Sequence, residues 1–150
     1  MSKWLPFVIL TVLSWGIYIP TLHRGQLFLG GSGLHAFLMV GVAYLFVAII
    51  IPGSVIASAG SWNLFTPAGV GFSIAAGVLG ALGALGIVFA LANGGKPSIV
   101  PAVVFAGAPI VSVFVAMLYN PPRVSPSPLF FLGIIMAASG VGLVLANRPN

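Results

Sequence analysis

Apolar residues along this chain fall into five long runs, and the stretches between them hold much of the polar and proline content. The runs cover residues 4–20, 34–51, 68–92, 98–119 and 129–147. Each is roughly 17–25 residues long, which at ~1.5 Å per residue crosses a hydrocarbon core of ~30 Å. The pattern predicts five transmembrane helices in one membrane domain spanning 1–150, an all-α integral membrane protein built as a five-helix bundle.

The breaks between runs are as informative as the runs. Pro20 closes the first, and residues 21–33 read as a glycine-rich polar loop, with Ser32 placed to cap the next helix. Pro52-Gly53 closes the second. Residues 54–67 suit an interfacial loop or short surface helix, anchored at the bilayer edge by Trp62 and Phe65. Asn93-Gly94-Gly95 caps the third run, because these residues tolerate a left-handed backbone. Residues 120–128, Asn-Pro-Pro-Arg-Val-Ser-Pro-Ser-Pro, make a stiff turn before the last helix. Lys3 before an apolar run imitates a signal peptide. No small-residue cleavage site follows, so the first helix is expected to be retained.

Several positions inside the runs are not plain anchor sequence. Thr11, Ser14, Trp15 and Tyr18 recur at i, i+3, i+4 and i+7, which puts them on one helical face. That face looks toward protein or a wet cavity, or else holds interfacial aromatics and hydroxyls bonded back to helix carbonyls. Gly69, Ser73, Gly77, Gly80 and Ala84 form a small-residue stripe on the third helix. Gly133, Ala137 and Gly140 form another on the fifth. Such stripes let membrane helices approach closely. Pro101 and Pro109 lie inside the fourth run. A helix-interior proline removes a backbone hydrogen bond and costs ~3 kcal/mol or more. This helix is therefore expected to bend and to pack against protein.

Composition sharpens the class. The chain is 60% hydrophobic and 3% charged, with five Lys and Arg and no Asp or Glu. Five basic side chains cannot cover a soluble surface, so the lipid bilayer is the expected surrounding. The net charge of +5 is dispersed over chain ends and candidate loops. This is the distribution of interfacial Lys and Arg, not of a nucleic-acid-binding patch. Lys3 and Arg123 fall on one side of the five spans and Arg24, Lys96 and Arg148 on the other. So small a bias permits either orientation, or both.

Candidate chemistry is sparse. With no cysteine or carboxylate and two histidines, a metal site or bound cofactor is not expected. Gly30-Gly31-Ser32-Gly33, with His35 nearby, imitates the Gly-x-Ser-Gly nucleophile motif of rhomboid intramembrane proteases. The rest of that pattern is missing, and a flexible loop with a capping serine accounts for it. No other nucleophile–base pair stands out, so an enzyme is not expected. His23 reads as a loop histidine and His35 as one at a helix start.

The turn Asn93-Gly94-Gly95-Lys96-Pro97-Ser98-Ile99-Val100-Pro101, leading into a helix that carries Ala108-Pro109-Ile110-Val111-Ser112, resembles an EamA-type repeat of the drug/metabolite transporter superfamily. Ser14-Trp15-Gly16 is similar to the Trp-Gly of that repeat's first helix. Residues 129–147 are similar to its closing glycine-spaced helix. Tyr119-Asn120-Pro121-Pro122-Arg123 stands where the family usually has a Gly-Glu, so the role of that acidic residue does not carry over.

The resemblance implies half of a two-repeat transporter, located in a bacterial inner (cytoplasmic) membrane. Substrate would bind near the midplane between two copies, or between this chain and another protein. Ser14, Trp15, Tyr18, Ser98, Pro101 and Pro109 would line the path. Proton-coupled export of cations ordinarily uses a membrane-embedded carboxylate, and none is present; a neutral imidazole could serve, but His23 is expected in a loop and His35 at a helix start. What remains is passage of a small neutral or zwitterionic metabolite through a dimer. The alternative is a structural subunit of a larger membrane complex that keeps the fold without transport.

Overall fold

The structure, a computed structural model, describes residues 3–147. Among them helix is the regular structure, with no strands. The helices are α1 (Leu5–Phe28), α2 (Gly33–Tyr44), α3 (Ile51–Ala59), α4 (Pro67–Ala92), α5 (Val100–Tyr119) and α6 (Pro128–Ala146). A π-helical turn, Leu45–Ile50, joins α2 to α3, so that Gly33–Ala59 is one continuous span. Five helical stretches are thus long and apolar enough to cross a membrane.

Two of the expected breaks are not breaks. The first helix continues past Pro20 to Phe28, and most of the anticipated loop over 21–33 is helix. A proline at position 20 removes one N–H but leaves the turns on either side able to bond. The Thr21 hydroxyl donates back to the Ile17 carbonyl at 2.9 Å, adding a bond beside the gap. The helix stops where glycine permits it to stop. Gly30 and Gly31 have φ of +68° and +80°. The Gly31 N–H donates to the Gln26 carbonyl at 2.8 Å and the Gly30 N–H to Leu27 at 3.2 Å. These are the paired bonds of a Schellman cap.

The second break, at Pro52-Gly53, is absorbed in the same way. Proline 52 has no N–H for the turn before it, and the chain widens there instead of ending. The Ile51 N–H reaches the Phe46 carbonyl, five residues back, which is the π-helical bond that re-pairs backbone near a proline. The span ends at Gly60, φ +64°. There the Ser61 N–H donates to Ile56 and the Gly60 N–H to Ala57, both at 3.3 Å. The connection to α4 is correspondingly short and contains Trp62 stacked on Phe65, ring centroids 5.9 Å apart.

Helix starts follow local chemistry. Thr66 caps α4, its hydroxyl accepting from the Gly69 N–H at 3.2 Å, and Ser127 caps α6 by accepting from Phe130 at 3.4 Å. Pro67 and Pro128 follow these caps, where a missing N–H is harmless. Pro101 belongs to the same class. It occupies the first turn of α5, which begins at Val100 rather than at Ser98. It is therefore a helix-start proline and does not bend the helix. Pro109 alone lies in the interior of α5.

The chain divides into two compact units, Met1–Gly94 and Gly95–Asn150. In the first unit α1, α2 and α4 pack on one another. The buried residues are Ile19, Leu22 and Gln26 of α1, Gly33 and Ala36 of α2, and Ala84, Ile87, Val88 and Leu91 of α4. All come from the second half of α1, the start of α2 and the end of α4, so the core sits at one end of the unit. Towards the other end Phe7, Val47 and Phe72 stand largely exposed, as side chains facing lipid do. In the second unit α5 packs on α6. Ile110, Val113 and Met117 of α5 are half-buried at helical spacing, as are Ile134 and Val141 of α6.

Candidate functional site

The packed end of the first unit carries His23, Arg24, Gln26, Ser32 and His35, and the placement of the first three follows from the extra turns of α1. Extending α1 to Phe28 moves His23, Arg24 and Gln26 out of a loop and onto a helix. Gln26 is 3% exposed, and its Nε2 donates to the Val88 carbonyl at 3.2 Å. This bond ties α1 to α4 across 62 residues of sequence. Gly33 makes the approach feasible. A Cβ there would stand 2.7 Å from Val88 Cγ1 and 3.5 Å from Gln26 Nε2. Arg24 lies exposed with its guanidinium over the Phe28 ring, 5.3 Å from the centroid. It can reach the headgroup layer from the helix while its stem covers apolar surface.

Ser32 does cap α2, and its partner is closer than the sequence indicates. The Ser32 Oγ is 2.6 Å from His35 Nδ1, and it also accepts from the His35 N–H at 3.5 Å. With a neutral imidazole protonated at Nε2, the hydroxyl donates to Nδ1. His35 then fixes the cap, much as a carboxylate does in a capping box. His35 is exposed.

The residues proposed to line a path divide between the two units. Ser14, Trp15 and Tyr18 share a face of α1. Ser14 is exposed, Trp15 is 55% exposed and Tyr18 is half-buried. The Tyr18 hydroxyl is buried and has no hydrogen-bond partner. Thr11 of the same face bonds back to the Phe7 carbonyl at 2.9 Å, which is the local bonding weighed for these hydroxyls. In the second unit Ser98 is exposed in the turn before α5, Pro101 is half-buried in its first turn, and Pro109 is exposed at mid-helix.

Of the small-residue stripe on α4, Ala84 enters the core, while Gly69, Ser73, Gly77 and Gly80 are exposed. On α6, Gly133, Ala137 and Gly140 are exposed. No atom lies within 4 Å of where a Cβ would stand on Gly77, Gly80, Gly133 or Gly140. Gly69 meets only the oxygen of its own cap, Thr66, at 2.9 Å. Among the described residues no group of three His, Cys, Asp or Glu could hold a metal ion.

Two residues were missed by reading the sequence, Gln26 and Gly33, which lock α1, α2 and α4, and His23, read as a loop histidine, lies on α1 instead. The available signal was Gly30-Gly31, a stronger helix stop than Pro20. Taking it would have put all the polar residues of 23–26 on α1.

The fold is all-helical among the described residues, with five helices long and apolar enough to cross a membrane and many large apolar side chains exposed, which suggests a membrane protein. No family model, curated protein or solved structure matches the chain.

Proposed function

We propose that this chain is a half-size, transporter-like membrane protein of EamA-type organisation that works as a dimer in a bacterial inner membrane. Two copies, with five spans each, enclose a path for a small neutral or zwitterionic metabolite. One observation carries the reading. The glycines of the α4 and α6 stripes have open space where neighbouring helices would fit, and lipid tails do not need glycine beside them. A stripe of this kind in a membrane favours close approach of another helix, and this reading assigns that helix to a second copy. The exposed Ser14 supplies a polar group on α1 for a solute, and the buried hydroxyl of Tyr18 on the same face lacks a partner within the chain.

A second reading, a non-transporting subunit of a larger membrane assembly, is favoured by the absence of Asp and Glu from the whole sequence. Uptake into liposomes separates the two. Purified protein is reconstituted and tested with radiolabelled neutral amino acids, polyols and a betaine. Saturable uptake that falls at least severalfold in Tyr18→Phe supports the path. Uptake equal to that of protein-free liposomes for every solute, with the protein instead recovered in a fixed hetero-complex, supports the second reading.

A further inference from the structure

The second span is packed along one half and bare along the other. In α2, Gly33 and Ala36 are buried and Phe37 and Val40 half-buried, and this helix packs on both α1 and α4. Beyond Val40 the contacts with neighbours thin out. From Gly41 to Gly60 no residue is buried; Gly53 and Ile56 are half-buried and the others exposed. The principal packing of α3 is on the π-helical turn that carries it, not on α1 or α4.

The π-helical turn Leu45–Ile50 sits where the packing stops. Its hydrogen bonding is wider than that of the helices on either side, with the Ile51 N–H reaching the Phe46 carbonyl. Pro52 has no N–H, so the carbonyl of Ala48, four residues earlier, loses its α-helical donor. Helices bend chiefly at prolines and at π-helical turns, and segments with few buried contacts move most easily. On its far side α3 is bonded within itself. The Ser54 and Ser58 hydroxyls donate to the Ile51 and Val55 carbonyls at 2.8 and 2.9 Å, and Gly60 closes its end. Proline alone does not produce this arrangement. Pro20 lies in a continuous α-helix between the buried Ile19 and Leu22, where packing fixes the backbone on both sides.

We propose that Leu45–Ile50 is a hinge, about which α3 swings as a rigid piece while α2 stays locked in its junction with α1 and α4. Helix α3 has 9 residues, about 13.5 Å at ~1.5 Å per residue, so a tilt of about 20° carries its end through about 4.6 Å. Residues 60–66 tie that end to the start of α4. The swing therefore widens or narrows the unpacked end of the first unit, where Phe7 and Phe72 stand exposed. The Gln26–Val88 bond at the other end is left in place. The hinge is independent of the transport reading and operates whether or not the chain moves a solute.

The test uses the full chain in lipid bilayers, with spin labels introduced in pairs into a sequence that has no cysteine. Labelled chain is diluted with unlabelled chain, so that only distances within one copy are read. One pair joins Leu82 of α4 to Leu38 of α2, and the other joins Leu82 to Val55 of α3; all three side chains are exposed. Double electron–electron resonance should give a narrow distance distribution for the first pair. For the second it should give one wider by about twofold or more, or split in two. Pro52→Ala and Pro52→Leu each restore the N–H and should narrow the second distribution towards the first, while Pro20→Ala should change neither.

A distribution for Leu82 and Val55 as narrow as that for Leu82 and Leu38 overturns the proposal in the unsubstituted protein, with no variant required. Equally wide distributions for both pairs also overturn it, since the motion then belongs to α4 or to the whole unit. So does a wide second distribution that both Pro52 variants leave unchanged.

Discussion

Replacing Gly33 by alanine should weaken the junction that holds α1, α2 and α4 together. The added methyl would stand 2.7 Å from Val88 Cγ1. Carbon atoms settle at about 3.5–4.0 Å, so the two helices must separate or a side chain must turn. Val88 is fully buried and Val side chains are stiff at χ1, which leaves little room for turning. Overpacking of this kind costs about 1–3 kcal/mol. Pushing Val88 and α4 back from the methyl also disturbs the Gln26–Val88 bond between α1 and α4, already 3.2 Å long, and its loss costs a further ~0.5–1.5 kcal/mol. Against this, alanine reduces the freedom of the unfolded chain by ~0.4–1 kcal/mol. The net expectation is destabilisation of about 1–3 kcal/mol.

The assay is reversible unfolding in mixed micelles, with Gly77→Ala as control. Nothing lies within 4 Å of a Cβ at Gly77, so the monomeric fold should tolerate that change or gain up to ~1 kcal/mol. Removing Cγ1 supplies a second control, since Val88→Ala in the Gly33→Ala background should recover part of the loss and show coupling of the two sites. If Gly33→Ala unfolds with wild-type stability or above it, the packing described for this end of the unit is wrong.

Gln26→Ala should cost about 1–3 kcal/mol in the same assay, because it removes the amide from a buried carbonyl and leaves a void. Gln26→Leu fills the void and should cost less. Thr66→Ala removes the α4 cap and should cost ~1 kcal/mol, measured by unfolding or by faster amide exchange at Gly69. Gly60→Val forces a β-branched residue to a φ of +64° and should destabilise the α3–α4 connection by ~1 kcal/mol or more. Pro52→Ala restores an N–H to the continuous span. The π-helical turn at Leu45–Ile50 should then revert towards α-helix, seen as a change of spacing between spin labels at positions 40 and 56 of this cysteine-free chain.

The number of spans was legible because each apolar run is long enough to reveal itself by length alone. The caps at Thr66 and Ser127 were legible in principle too, since a hydroxyl followed by proline is a strong local start signal. The ends were harder to place. Pro20 and Pro52 both looked like stops, yet one is carried inside α1 and the other follows a π-helical turn. In a long apolar helix the single lost bond is outweighed by the many retained, and the hydroxyl of Thr21 and the widened turn relieve the rest. Glycine with positive φ proved the better stop, at Gly30-Gly31, Gly60 and Gly94, where the backbone turns left-handed.

Misplacing the end of α1 had consequences for the candidate site. It left His23 and Gln26 in an expected loop and so concealed a buried amide bond and an unpartnered imidazole nitrogen. Pro101 shows the opposite error: a proline one residue past a helix start reads as interior unless the start itself is fixed. The face of Ser14, Trp15 and Tyr18 was legible from spacing. What lies opposite it was not, since long-range packing leaves no periodic trace in a chain that is apolar on nearly every face.

In the proposed function one copy of this chain is half of a working unit. Single-molecule photobleaching of fluorescently tagged protein in lipid bilayers, at dilutions where chance co-capture is negligible, counts the copies directly. The account predicts two bleaching steps per particle, falling to one when Gly133 and Gly140 are both replaced by leucine. A single step for the unsubstituted protein would contradict it.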